Sequence, residues 1–302
     1  MSDLATNVGA VALRSPILTA AGTSGYGDEL AAYGELRSLG AVVVKSLAHF
    51  AWEGNAAPRV AASGTHMLNS VGLAGPGVSA WREHFLPDLE LRGCAVVASI
   101  WGRTVNEFGE AAEAMRGANV VAVEVNASCP NLESRSSIFA HSALATAEVV
   151  RASKAADLPL WIKLSPNTPD LIAIAGAALD AGADALVLVN TVLGLGIDIE
   201  RRQLSLGNGG GGVSGPGILP VALRCVYECR AAFPTTPIVG VGGVSSGEDA
   251  VAMIMAGANA VEVGTATFAN PRAPWLVQQG LERWMRRHDV TRVSEIMGAV
   301  HG

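Results

Sequence analysis

The chain has 302 residues, half of them apolar and 16% charged, with a formal net charge of −6. That is enough apolar material for one large core, and its mild acidity offers no attraction to nucleic acid or to an anionic membrane. Small neutral or anionic ligands remain open. The two longest charge-free stretches, residues 60–81 and 203–223, are broken by glycine, proline, serine and asparagine, so they are expected to be loops rather than membrane spans. The opening MSDLATNVGAVALRSP has an early acid and no apolar run before a cleavage site, which predicts a cytoplasmic protein. Cys94, Cys129, Cys225 and Cys229 form no CxxC pair, so neither a disulfide framework nor a zinc site is expected, and no other metal is.

Eight short apolar runs rich in β-branched residues follow one another: ILTAAGT (17–23), AVVVKS (41–46), CAVVASI (94–100), VVAVEVN (120–126), PLWIKLS (159–165), ALVLVNT (185–191), PIVGVGG (237–243) and AVEVGTA (260–266). Helical patterns fill most intervals, for example DELAAYGELRSLG after the first run and PDLIAIAGAALDAGA after the fifth. Strand and helix in alternation, eight times over, predict an α/β chain folded as a (β/α)₈ TIM barrel, with residues 1–302 as one domain. Two intervals, 47–93 and 192–236, are too long for one helix and are expected to be long functional loops at the C-terminal face.

In such a barrel the active site lies at the C-terminal ends of the strands. Here those ends carry Gly22 and Thr23, Lys45 and Ser46, Ser99, Asn126, Lys163, Asn190 and Thr191, Gly242 and Gly243, and Gly264 and Thr265. The chain has three lysines against eighteen arginines, and two of the three are in this set. A lysine is a compact point charge that can approach a flat ring or a phosphate without a planar fork. The glycines that end the last two runs leave backbone N–H groups open to an anion, which predicts a phosphorylated ligand. A thiol, Cys129, follows the fourth run in VVAVEVNASCPN.

Together these motifs resemble the class 1 dihydroorotate dehydrogenases, and most closely the catalytic subunits of the NAD-linked class 1B branch. The likeness runs through SPILTAAGTSGYG, VVVKS, EGNAAPRV, MLNSVGL, VNASCPN, IKLSPN, LVNTVLGLGIDI, GGGVSGPGILPVALR and GVGGVSSGEDAVAMIMAGANAVEVGTATF. It implies an FMN-dependent oxidoreductase acting on a CH–CH bond, oxidising dihydroorotate to orotate in pyrimidine biosynthesis. By resemblance Cys129 is the base that takes the C5 proton while flavin N5 takes the C6 hydride. Asn69, Asn126, Asn131 and Asn190, with Lys45, Thr191 and the backbone of Val71, Gly72 and Leu73, are implied to read the pyrimidine, each asparagine offering both a donor and an acceptor. Ala21, Gly22, Thr23, Lys45, Ser46, Ser99, Asn126 and Lys163 are implied to hold the flavin ring, with Gly215, Gly242, Gly243, Gly264 and Thr265 around its phosphate. The implied partner is a subunit carrying FAD and an iron–sulphur cluster, in a homodimer or heterotetramer.

The sequence departs from the family at several points: LESRSSIFAHSAL after SCPN lacks the usual glycines, His49, Phe50 and Trp52 replace smaller side chains, and Gly75 and Leu219 stand where asparagine and lysine are common. These changes are expected to reshape the mouth of the site. Two other readings stay open at this point: a related FMN oxidoreductase acting on another dihydropyrimidine, and a flavin-free phosphate-binding barrel with Lys163 as a Schiff-base nucleophile. A noncatalytic descendant that keeps the fold is a third.

Overall fold

The structure, a computed structural model, describes residues 3–128 and 139–302. Eight parallel strands form one sheet: β1 (Ile17–Thr19), β2 (Val42–Val43), β3 (Val96–Ile100), β4 (Ala122–Asn126), β5 (Leu160–Lys163), β6 (Ala185–Leu188), β7 (Ile238–Val241) and β8 (Ala260–Val263). Neighbours in the chain are neighbours in the sheet, and β8 pairs with β1. The ring closes where Leu18 bridges Ala41, with the Gly40 N–H donating to the Ile17 carbonyl at 2.7 Å and the Thr19 N–H to that of Ala41 at 3.2 Å. The barrel prediction holds. Each strand is shorter than the apolar run that announced it, because the last residues of each run turn out of the ladder into the loops.

Alternation along the strands sorts side chains into two cores. Leu160, Ile162, Val123, Val125, Val261 and Val263 face the surrounding helices. Leu18, Val43, Val97, Trp161, Val187 and Val239 fill the barrel, whose N-terminal end is plugged by Val8, Val11 and Leu13 from an antiparallel hairpin (Thr6–Val8 with Val11–Leu13). Helices Val105–Met115, Ala143–Ser153, Leu171–Asp180, Leu219–Ala232, Gly247–Met255 and Ala273–Arg287 ring the outside. Thr104 and Ser246 start two of them by accepting the N–H of Glu107 and Asp249. Cys225 and Cys229 are buried on the Leu219–Ala232 helix. No helix among the described residues is long and apolar enough to cross a membrane.

Two expectations need correcting. The segment after β1 is no α-helix but two 3₁₀ turns, Glu29–Ala32 and Leu36–Ser38. Side chains compete there for the backbone groups a helix would use: the Glu29 carboxylate accepts the N–H groups of Tyr26 and Gly27, and Trp275 Nε1 donates to the Glu35 carbonyl. Nor are residues 60–81 and 203–223 plain loops. They supply three of the strands in a four-stranded antiparallel sheet ordered Val192–Gly194, Gly211–Ser214, His66–Asn69 and Val60–Ser63. Each excursion pairs within itself, and the two are joined where Gly211–Ser214 pairs with His66–Asn69, about 140 residues away, a contact that neither stretch shows by itself.

The Gly247–Met255 and Ala273–Arg287 helices cross at a pair of glycines. A Cβ on Gly247 would overlap the backbone of Gly280, so Gly247→Ala should lower unfolding free energy by about 1–3 kcal/mol, the usual cost of overpacking. Chemical denaturation would read this directly, and an unchanged midpoint would mean that the helices separate freely.

Candidate active site

One cavity opens at the C-terminal ends of the strands, with about 1030 Å³ of space, part of it open to solvent. Every barrel strand except β3 sends residues to its wall. Ala21, Gly22 and Thr23 follow β1, Lys45 and Ser46 follow β2, and Asn126 and Lys163 end β4 and β5. Asn190 and Thr191 follow β6, Gly242 and Gly243 follow β7, and Gly264 and Thr265 follow β8. The antiparallel sheet and the loop after it add Asn69, Val71, Gly72 and Leu73.

Two of the expected residues that are described stand apart from this wall. Ser99 is fully buried behind Ser46, the two hydroxyl oxygens 2.9 Å apart. Gly215 follows the wall residue Ser214 at φ 103° without itself lining the cavity. Cys129 and Asn131 lie outside the described residues; the chain is described up to Ser128, whose hydroxyl donates to Asn126 Oδ1 at 3.1 Å. Reading the sequence by strand ends alone overlooked Met67, Val189, Ile218 and Phe268, apolar wall residues that only the fold brings in.

The loop carrying Val71, Gly72 and Leu73 is held from behind. Leu73 sits at φ 60°, a conformation uncommon for a side chain of its size. Trp52 Nε1 donates to the Gly72 carbonyl at 3.0 Å, and the Tyr26 hydroxyl donates to that of Ala74. Phe50, Trp52 and Trp101 pack edge to face, with the Arg103 guanidinium 4.4 Å from the centre of the Phe50 ring. The aromatic departures thus brace this loop instead of entering the cavity.

Beneath the cavity the barrel interior turns polar. Lys163 Nζ lies 3.3 Å from Glu124 Oε2 and 3.0 Å from Glu262 Oε2, and both carboxylates are fully buried. Each glutamate is the lone charge in an apolar strand run, VVAVEVN and AVEVGTA, a signal that reading only the strand ends passes over. Burial by itself would lower the lysine's pKa, but the two carboxylates outweigh it and hold the ammonium charged. Burial pushes Glu262 up to about 8, against the pull of Lys163 and with a further push from Glu124. One of these carboxyls therefore keeps its proton at neutral pH.

The wall fits a flat, phosphorylated cofactor such as FMN. Gly243 holds φ 79° at the end of β7, and among the described residues no protein acceptor takes the N–H of Gly243 or of Gly264. Those donors suit a phosphate, while Lys163 reaches the same cavity with its charge intact. Among the described residues no group of three or more metal-ligating side chains converges.

A carboxyl with a raised folded value binds its proton more tightly when folded. Its contribution to stability is therefore complete below 4.5, its ordinary value, and is lost as pH rises through about 8. Glu262→Gln should flatten the fall in Tm between about pH 5 and about pH 8.5. Equal slopes for the two proteins would put the shared proton elsewhere.

Residues 3–285 match the protein-family model for dihydroorotate dehydrogenase. A protein of Alkaliphilus metalliredigens named dihydroorotate dehydrogenase B (NAD(+)), catalytic subunit, is 43% identical over 99% of both chains. Proteins of the same name from Alkaliphilus oremlandii and from Geobacter sp. strain M21 are 42% and 41% identical, over 98% or more of each chain. The chain belongs to the dihydroorotate dehydrogenase family.

Proposed function

We propose that this chain is the FMN-dependent catalytic subunit of a dihydroorotate dehydrogenase, oxidising (S)-dihydroorotate to orotate for pyrimidine synthesis in the cytoplasm, as one barrel domain spanning residues 1–302. The observation that carries the reading is the cavity wall, where amide side chains from Asn69, Asn126 and Asn190 share the lining with strand-end glycines and a charged lysine. Asparagine suits the edge of a pyrimidine, whose donors and acceptors alternate. Lys45 supplies a cation for the substrate carboxylate. Asn131 joins the substrate set, and Thr191 lines its side of the cavity.

Gly243 and Gly264, with Gly215, Gly242 and Thr265, would hold the FMN phosphate, and Ala21, Gly22, Thr23, Lys45, Ser46, Asn126 and Lys163 its ring region, with Ser99 backing Ser46 from behind the wall. Bound there, FMN supplies the two-electron acceptor for the C6 hydride. Lys163 stabilises negative charge at the cavity floor, and Glu124 and Glu262 keep that ammonium in place. Cys129, next after the hydrogen-bonded Ser128, takes the C5 proton. A free thiol titrates near 8.5, so proton removal at neutral pH draws on neighbouring dipoles or on concerted loss of the hydride.

The proposed electron route is a partner subunit with FAD and an iron–sulphur cluster, in a heterotetramer built on a homodimer of this chain. The relatives' naming as NAD(+) catalytic subunits supports it. So does an exposed apolar strip beside the mouth, in which Leu195, Ile197 and Ile199 are 57–77% exposed.

An anaerobic absorbance spectrum tests the reading. The purified protein should be yellow and bleach on adding dihydroorotate; protein that stays yellow would move the substrate to another dihydropyrimidine. Cys129→Ala should retain FMN and lose turnover by about 10²-fold or more. An unchanged rate would remove Cys129 as the base. The chain alone should reduce an artificial dye and not NAD, and rapid NAD reduction by it would overturn the partner assignment.

A further inference from the structure

A chain of hydrogen bonds runs from the buried carboxylate cluster to the asparagines of the cavity, and the chemistry of its members allows only one direction. Lys163 Nζ donates to Glu124 Oε2 at 3.3 Å, which leaves Glu124 Oε1 to the chain as an acceptor. Ser99 Oγ donates to Glu124 Oε1 at 2.8 Å. A hydroxyl has one proton, so Ser99 must accept from Ser46, whose oxygen is 2.9 Å away. With its own proton committed, Ser46 accepts from Asn126 Nδ2 at 3.0 Å. This turns the Asn126 oxygen the other way, where it accepts from the Ser128 hydroxyl at 3.1 Å and from Asn190 Nδ2 at 3.4 Å. Asn190 Nδ2 also donates to Ser128 Oγ at 2.9 Å, and its oxygen accepts the Thr191 N–H at 2.7 Å. Ser46, Ser99, Glu124 and Ser128 are at most 1% exposed, so water does not compete for these bonds.

We infer that Glu124 is a positioning residue: without touching ligand, its carboxyl group holds one end of the chain that fixes which edge of the Asn126 amide faces the cavity, and so the donor and acceptor pattern offered to a planar heterocycle. The inference rests on the reading of this cavity as the pyrimidine site. The chain is held at both ends, by the Glu124 carboxyl group that accepts from Ser99 and by the backbone N–H groups of Thr191 and Ser128, which donate to Asn190 Oδ1 and, at 3.4 Å, to Asn126 Oδ1. An amide oxygen and nitrogen are close in size, so packing alone would leave the orientation of Asn126 nearly degenerate. Both ends of the chain favour the same orientation, and reversing the Glu124 end sets them in conflict at Asn126.

Glu124→Gln tests this with little change of shape. The ammonium of Lys163 draws the glutamine oxygen to itself and leaves the –NH₂ facing Ser99, which reverses the chain: Ser99 donates to Ser46, Ser46 donates toward Asn126, and Asn126 must turn its amide over or give up its Ser46 bond. In the FMN-loaded full chain, orotate affinity, read as a perturbation of flavin absorbance, should weaken about tenfold, equivalent to one lost hydrogen bond of about 1.4 kcal/mol. FMN affinity should change less than about threefold, since Lys163 keeps Glu262. The Asn126 side-chain ¹H–¹⁵N resonances should move in the ligand-free protein as well. Ser99→Ala cuts the chain while keeping the Lys163–Glu124 pair, and should weaken orotate and move the same resonances even where Glu124→Gln does not fold.

Orotate affinity within about twofold of native in the folded variants, with Asn126 resonances unmoved, overturns the inference. So does a parallel loss of FMN and orotate affinity in Ser99→Ala, which would make the chain merely structural. A native protein that holds FMN but ignores orotate overturns the substrate reading instead, and the ligand-free resonances still decide the orientation.

Discussion

Two carboxylates and one ammonium share the interior of the barrel, each delivered by a different strand, and the upper half of the molecule is arranged around them. Glu124, Lys163 and Glu262 point inward because strand alternation leaves no other direction, and none can be neutralised by water at that depth. Removing one partner of a buried ion pair costs about 3–5 kcal/mol, because the other is left uncompensated. The cluster is thus an expensive way to fill a barrel that Ala122, Trp161 and Ala260, two residues earlier on the same strands, fill cheaply lower down. Its return is at the cavity floor, where it presents a fixed cation and anchors an ordered row of hydroxyls and amides.

The lower half of the barrel is a conventional apolar plug, and the contrast is physical. Near the N-terminal hairpin, side chains need only match volume. Near the cavity they must also satisfy every donor and acceptor, and the row from Ser99 to Asn190 does so through hydroxyls and amides that pass direction along. Direction is information that an apolar layer cannot carry.

The excursions after β2 and β6 complete the site. Each is rich in small residues and, alone, would bury too little to order itself. Paired as one antiparallel sheet, they bring Asn69 beside Gly212, with Asn69 Nδ2 donating to the Gly212 carbonyl at 3.4 Å, and set Asn69 on the cavity wall. Trp52 and Tyr26 then hold the next turn of chain, so the unusual φ of Leu73 is maintained by hydrogen bonds from behind.

The amino-acid sequence by itself determined the eight strands, their parallel order and the face that carries the site. Buried parallel strands read as unbroken apolar runs, and Lys45, Asn126, Lys163 and Asn190 interrupt those runs at their ends. The family motifs named Cys129 and Asn131 by their place in SCPN, with no geometry attached. The tertiary structure alone decided that Trp275 would claim the carbonyl of Glu35 and so unmake a helix after β1. It alone decided that residues 60–69 and 192–214 would pair. It alone brought Glu124 and Glu262, 138 positions apart in the sequence, onto one lysine. Local spacing reports what a segment prefers, whereas these contacts join groups that only closure of the barrel brings together.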